Sequence, residues 1–217
     1  MKVLVVMSSQ NADGLTAACG EAARQGVVDG KSPARVINLN EFNIHRCAIC
    51  GKGWGTCRTE HRCVRDDDFA KIQDMFESAE GYVLITPVYY GEASETFKAF
   101  FDRLRRCEAT KADSKQSILA NKPVICIAAA GGSGRGAVHC LAEMERLVGK
   151  LGVAPFDYIP ITQKTREYQI ETIHDGLVAM CAPKPVEQTM PLSARKGSRN
   201  GKRGKRRIGR RRQPKAS

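Results

Sequence analysis

Tyr82-Val83-Leu84-Ile85-Thr86-Pro87-Val88-Tyr89-Tyr90-Gly91 opens as an apolar, β-branched run without alternation and closes on a proline, two tyrosines and a glycine. An unbroken apolar run of strand length belongs to a strand covered on both faces, as inside a parallel sheet. The residues after Thr86 read as a loop at its carboxyl end. A helix-period stretch, Ser94 to Cys107, follows.

Two further runs have the same character, Val3 to Met7 and Val124 to Ala129. Arg35 to Leu39 reads as a peripheral strand and Val153 to Ile161 as a fifth. Helix-period stretches at Leu15–Gln25, Asp67–Ser78 and Ala137–Leu151 fall between them. The alternation predicts an α/β fold with a doubly wound five-stranded parallel sheet of order 2-1-3-4-5 and ligands at the strands' carboxyl ends. A closing helix is expected over about residues 167–180, ended by Pro183 and Pro185.

The chain has 217 residues, 42% of them hydrophobic, which suits one domain over residues 1–185 plus an appendage. No run of about 18 apolar residues and no signal-like h-region is present, so the expectation is a cytoplasmic protein without membrane contact. The net charge of +12 is uneven: Ala194 to Ser217 holds 12 Lys and Arg and no acid, leaving a neutral body. Residues 186–217 therefore read as a disordered basic tail. Its Lys202–Arg207 and Arg210–Arg212 runs suit non-specific polyanion contact, and no aromatic is present for base stacking. A solvated tail is the preferred reading.

Three loops at successive strand ends carry the chemistry. Ser8-Ser9-Gln10-Asn11-Ala12-Asp13-Gly14-Leu15-Thr16 is polar and small and runs into a helix. Hydroxyls, free N–H groups and a helix dipole there suit a phosphate dianion, although the same residues suit an ordinary cap. Tyr89 and Tyr90 can lie along a flat ring, and the Ala130–Gly136 loop, with Gly131 and Gly132, lets backbone amides approach its edge.

These loops, with Phe97-Lys98-Ala99-Phe100-Phe101-Asp102-Arg103 after the second, resemble the NAD(P)H-dependent FMN reductase and iron-sulfur flavoprotein-like branch of the flavodoxin superfamily. The resemblance spans Met1 to about Ile161 and implies a flavodoxin-like fold. It also implies FMN as cofactor and NAD(P)H as co-substrate, with a quinone, flavin, metal or protein as electron acceptor. By that resemblance Ser8, Gln10, Gly14, Leu15 and Thr16 contact the FMN phosphate. Pro87, Val88, Tyr89, Tyr90, Gly131 and Gly132 contact the ring, and the assembly is a homodimer or homotetramer. The chain departs from the family pattern at Gln10, where many relatives have Arg, and at Leu15, where many have Asn. Asp102 and Arg103 read as a structural pair at an exposed helix end.

A cysteine-rich insert over residues 45–65 carries Cys47, Cys50, Cys57 and Cys63, spaced C-x2-C-x6-C-x5-C, before Asp66-Asp67-Asp68-Phe69. Such a cluster can hold zinc or an iron–sulfur cluster, form a metal-free structural or dimer loop, or supply reactive thiols. Gly53 stands where the iron-sulfur pattern has a third cysteine, so no metal is the first reading. Trp54 reads as a local hydrophobic anchor. His45, His61, His139 and His174 form no metalloenzyme spacing. The leading function is an FMN-dependent oxidoreductase. The alternatives are an iron-sulfur flavoprotein or flavodoxin-like electron carrier, which the neutral body disfavours, and a polyanion binder with a vestigial flavin fold.

Overall fold

A computed structural model describes residues 1–113, 117 and 119–183, so the basic tail lies outside the described residues. Strands β1 (Val3–Met7), β2 (Ala34–Asn38), β3 (Gly81–Tyr89), β4 (Glu92–Ala93), β5 (Pro123–Ala130) and β6 (Ala154–Thr162) form one sheet. Its main path runs β2-β1-β3-β5-β6, all parallel, with β4 antiparallel to β3 at the side. Helices α1 (Leu15–Asp29), α2 (Thr56–Thr59), α3 (Phe69–Ser78), α4 (Glu95–Asp113), α5 (Ala137–Leu151) and α6 (Arg166–Cys181) complete Met1–Ala182 as one compact unit.

The pleat sorts the apolar strand residues into two cores. In β1, Leu4 and Val6 join the core under α3, α4 and α5, whereas Val3 and Val5 join the core under α1 and α6. All four side chains are buried, and each such burial contributes about 1.5–3 kcal/mol. That two-sided burial is why the strand sequences show no alternation. On the first face, α4 inserts Phe97, Phe100 and Phe101 against Phe69 and Phe76 of α3, with ring centroids 5.3 Å apart for Phe69–Phe100 and 5.4 Å for Phe76–Phe100. On the other face α1 and α6 approach closely at Gly26, where a Cβ would sit 2.4 Å from the carbonyl oxygen of His174.

One expectation is corrected. The sheet has six strands, and in chain numbering the parallel ones run 2-1-3-5-6 instead of 2-1-3-4-5. Tyr90 and Gly91 both have positive φ, 52° and 86°, the signature of the two-residue turn that reverses a strand onto itself. The apolar run therefore continues to Tyr89 and returns as β4, with Val88 opposite Ala93 and Tyr89 opposite Glu92. Several elements are also longer than expected, notably α1 to Asp29 and α4 to Asp113.

Candidate functional site

The carboxyl ends of β1, β2 and β3 are tied together by side chains. Ser94 Oγ donates to Ser8 O at 3.1 Å, Ser94 N donates to Thr86 Oγ1 at 3.0 Å, and Asn38 Nδ2 donates to Ser9 O at 2.8 Å. The first loop is thus held against the β3–β4 hairpin. Within it, Asn11 N donates to Ser9 Oγ and Asp13 N donates to the Asn11 side chain, both at 3.2 Å. The start of α1 is left differently. Gly14 is its N-cap, no side chain caps it, and its first turn has no acid. The first N–H groups of an α-helix have no partner within the helix, and the positive end of its dipole lies there.

Of the residues expected at a phosphate, Gly14, Leu15 and Thr16 stand at this uncapped terminus. Leu15 is buried in the α1 core, so only its backbone serves the loop. Gln10 is exposed. Ser8 faces inward: its single hydroxyl proton goes to Ile85 O at 3.4 Å. Its neighbour Ser9, absent from the expected set, is also buried, and its Oγ accepts from Asn11 N.

The second and third loops form a cleft of about 530 Å³ between Val88–Gly91 and Ala130–Gly136. Their backbones nearly touch: a Cβ on Gly136, whose φ is 84°, would lie 2.6 Å from Gly91 Cα, so glycine is required there. Val88, Tyr89, Tyr90 and Gly132, the residues expected at a ring, line the cleft. Tyr90 is fully exposed and Tyr89 is 53% exposed. A Cβ on Gly132 would meet nothing within 4 Å, which leaves room over the loop for a flat group. Pro87 and Gly131 are not among the lining residues: Pro87 is buried in the sheet opposite Ala129, and Gly131 sits beside Gln163. Ser133 and Arg135 line the cleft and were missed, although the glycines around them are the signal that marks the loop.

The cysteine insert is a separate construction. Arg103 of α4 is 1% exposed and not at an exposed helix end as expected. Its guanidinium grips the buried Asp67 carboxylate with two bonds, 2.6 and 2.9 Å, donates to His45 O at 2.9 Å and stacks on Phe69. Asp102 instead pairs with Arg105 at the surface. Burial works to raise the Asp67 carboxyl, but Arg103 and the N–H groups of His45 and Phe69 outweigh it and hold it below the usual carboxylate range. One turn on, Arg106 donates to Gly53 O at 2.7 Å and lies over the ring of Trp54, which is 39% exposed and not part of either core as a hydrophobic anchor would be.

Cys47, Cys50, Cys57 and Cys63 line one small pocket together with Arg103 and Arg106. Among the described residues, no three His, Cys, Asp or Glu side chains stand where they could hold a metal ion. The four thiols share a pocket without closing on a common point. Elsewhere, burial pushes the Cys19, Cys107 and Cys140 thiols up to about 12, so at neutral pH they are packing groups and not nucleophiles.

A doubly wound parallel sheet with an uncapped helix start and a glycine-lined cleft at adjoining strand ends defines a protein of the flavodoxin-like class. The family model described as NADPH-dependent FMN reductase matches residues 1–158, and the chain belongs to that family. An iron-sulfur flavoprotein of Methanosarcina thermophila is 33% identical over 94 residues, 43% of this chain and 45% of the relative. One from Archaeoglobus fulgidus is 25% identical over 104 residues, 48% of this chain and 46% of the relative. The chain spans about half the length of these curated relatives. Among solved structures, RosB with 8-demethyl-8-formylriboflavin-5'-phosphate bound superposes with TM-score 0.64 at 14% identity, over 97% of this chain and 100% of that one. General stress protein 14 of Treponema denticola in complex with FMN gives TM-score 0.55 at 15% identity, over 83% and 98% of the two chains. At these identities the superpositions speak for the fold.

Proposed function

We propose that the chain is an oxidoreductase that binds FMN at the β1, β3 and β5 ends, takes electrons from NADH or NADPH, and passes them to a quinone, flavin, metal or protein acceptor. The observation that carries this reading is the uncapped start of α1 beside an open cleft whose floor is glycine. The residues present fit the cofactor. Backbone N–H groups of Gly14 to Thr16 and the hydroxyls of Ser9 and Thr16 would hold a phosphate dianion without a cation. Val88, Tyr89, Tyr90 and Gly132 would cover a flat ring. When bound, FMN supplies hydride acceptance and onward electron transfer, while the protein supplies position and surroundings.

The chain's own contribution is rigidity. The Ser94–Ser8–Thr86 ties fix the hairpin carrying Tyr89 and Tyr90 relative to the phosphate loop, and the Gly91–Gly136 approach fixes it relative to the β5–α5 loop. The exposed Tyr90 and Val138 beside the cleft support self-association as a dimer or tetramer, and the 12 tail cations support salt-sensitive polyanion contact. No helix among the described residues is long and apolar enough to cross a membrane. The test is anaerobic mixing of FMN-loaded protein with NADPH and then NADH. Loss of the oxidised flavin absorbance with either supports an enzyme; reduction by neither, with reduction by a protein donor, supports the electron-carrier alternative.

A further inference from the structure

The phosphate loop and the cleft differ in charge. The loop after β1 carries no cation, and where many relatives place an arginine it has Gln10. The phosphate dianion proposed above would be held there by neutral donors. Of the ten residues lining the cleft, one is charged, Arg135. Among the described residues Arg135 has no carboxylate partner, and its backbone N–H is turned onto Ser133 Oγ at 3.3 Å, which fixes the loop from which the side chain projects. Gly134 and Gly136, with φ of 75° and 84°, hold this bend open on either side of it. The adjoining start of α5 has no side-chain cap and no acid in its first turn.

An arginine at the mouth of a flavin cleft without a counter-ion is placed to take an anion that arrives and leaves. In the reaction proposed above that anion is the reduced nicotinamide dinucleotide, whose phosphates match a guanidinium fork. We infer that Arg135 is the positioning residue for the incoming nicotinamide nucleotide, binding one of its phosphate groups at the rim while the nicotinamide lies over the ring site. This rests on the FMN reading. The phosphate is either the diphosphate that NADH and NADPH share or the 2'-phosphate that NADPH alone carries.

The experiment uses the full chain loaded with FMN, and compares it with Arg135→Gln and Arg135→Lys. Arg135 is exposed on a loop, so the fold is expected to stay as it is, and FMN affinity is measured on each variant beside the kinetics. Losing one charge-assisted contact is expected to raise KM about tenfold with kcat nearly unchanged, and lysine to restore part of the loss. A rise for both nucleotides identifies the diphosphate; a rise for NADPH alone identifies the 2'-phosphate. The KM of the unaltered protein is also expected to climb with ionic strength, and that of Arg135→Gln to be flatter. Unchanged KM for both nucleotides overturns the inference, as does a loss of FMN affinity in Arg135→Gln, which would give the arginine to the cofactor. If the unaltered chain takes up no FMN, or its FMN is reduced by neither nucleotide, the functional reading itself fails before Arg135 is tested.

Discussion

The strand-end cleft and the cysteine-rich segment are built in opposite ways. The cleft region is assembled largely from uncharged features: two adjoining positive-φ residues, glycines in near contact, hydroxyls tied to neighbouring strand ends, and a helix start left uncapped. The insert is held by long-range charge, with Arg103 and Asp67 both buried and paired, and Arg106 reaching Gly53. In the first region backbone conformation and hydroxyls set the geometry, whereas in the second a buried ion pair sets it, and Arg103 Nε and Arg106 Nε remain buried there without a hydrogen-bond partner among the described residues.

Removing Arg103 is the harshest test of the contrast. Arg103→Ala leaves the Asp67 carboxylate buried without its partner, and breaking a buried pair in this way costs about 3–5 kcal/mol. Urea unfolding is expected to show that loss, while FMN affinity measured on the remaining folded protein stays within about twofold. A large loss of FMN affinity at unchanged stability would mean that the insert is part of the flavin site.

The reverse pattern is expected in the phosphate loop. Ser9→Ala with Thr16→Val removes two hydroxyl donors to a dianion, and each such bond is worth about 1.5–3 kcal/mol. FMN titration is expected to show at least a tenfold weaker Kd, with the melting temperature of the FMN-free protein little changed. Ser8→Ala, whose hydroxyl serves Ile85, is expected to affect FMN far less. Equal effects from Ser8 and Ser9 would undo the distinction drawn between them.

The smallest effect is on pH dependence. Because the native Asp67 carboxyl lies below its ordinary value of about 3.9, the clasp stabilises the fold fully above that value and loses its contribution as pH falls below it. Between pH 5 and pH 8 this pair is expected to add no slope to stability. Acid unfolding followed for the unaltered protein and for Asp67→Asn measures the difference, and a midpoint identical in both would contradict the assignment.

Much of this was legible from residue order and some was not, for reasons that can be named. The core strands and helices announced themselves because burial on both faces removes alternation, and Val3 to Met7 is apolar throughout for that reason. Strand β4 was invisible: two residues carry no periodicity, and its existence depends on Tyr90 accepting a left-handed backbone conformation. Burial of Arg103 was equally hidden, since its partner Asp67 lies 36 residues away and only the packing of α4 on the insert brings them together. The different hydrogen bonds of Ser8 and Ser9 are a matter of which way each side chain turns as β1 ends. A loop motif carried over from relatives specifies residue types there but not that direction. The cysteines were read as a cluster by spacing alone, and they do share a pocket, yet spacing says nothing about whether four sulfurs converge.

The most direct measurement is equilibrium titration of the purified chain, freed of any bound flavin, with FMN, followed by flavin fluorescence and by the folded-state circular dichroism. The account predicts a yellow complex holding one FMN per chain. A chain that is folded by circular dichroism and takes up no FMN would contradict it.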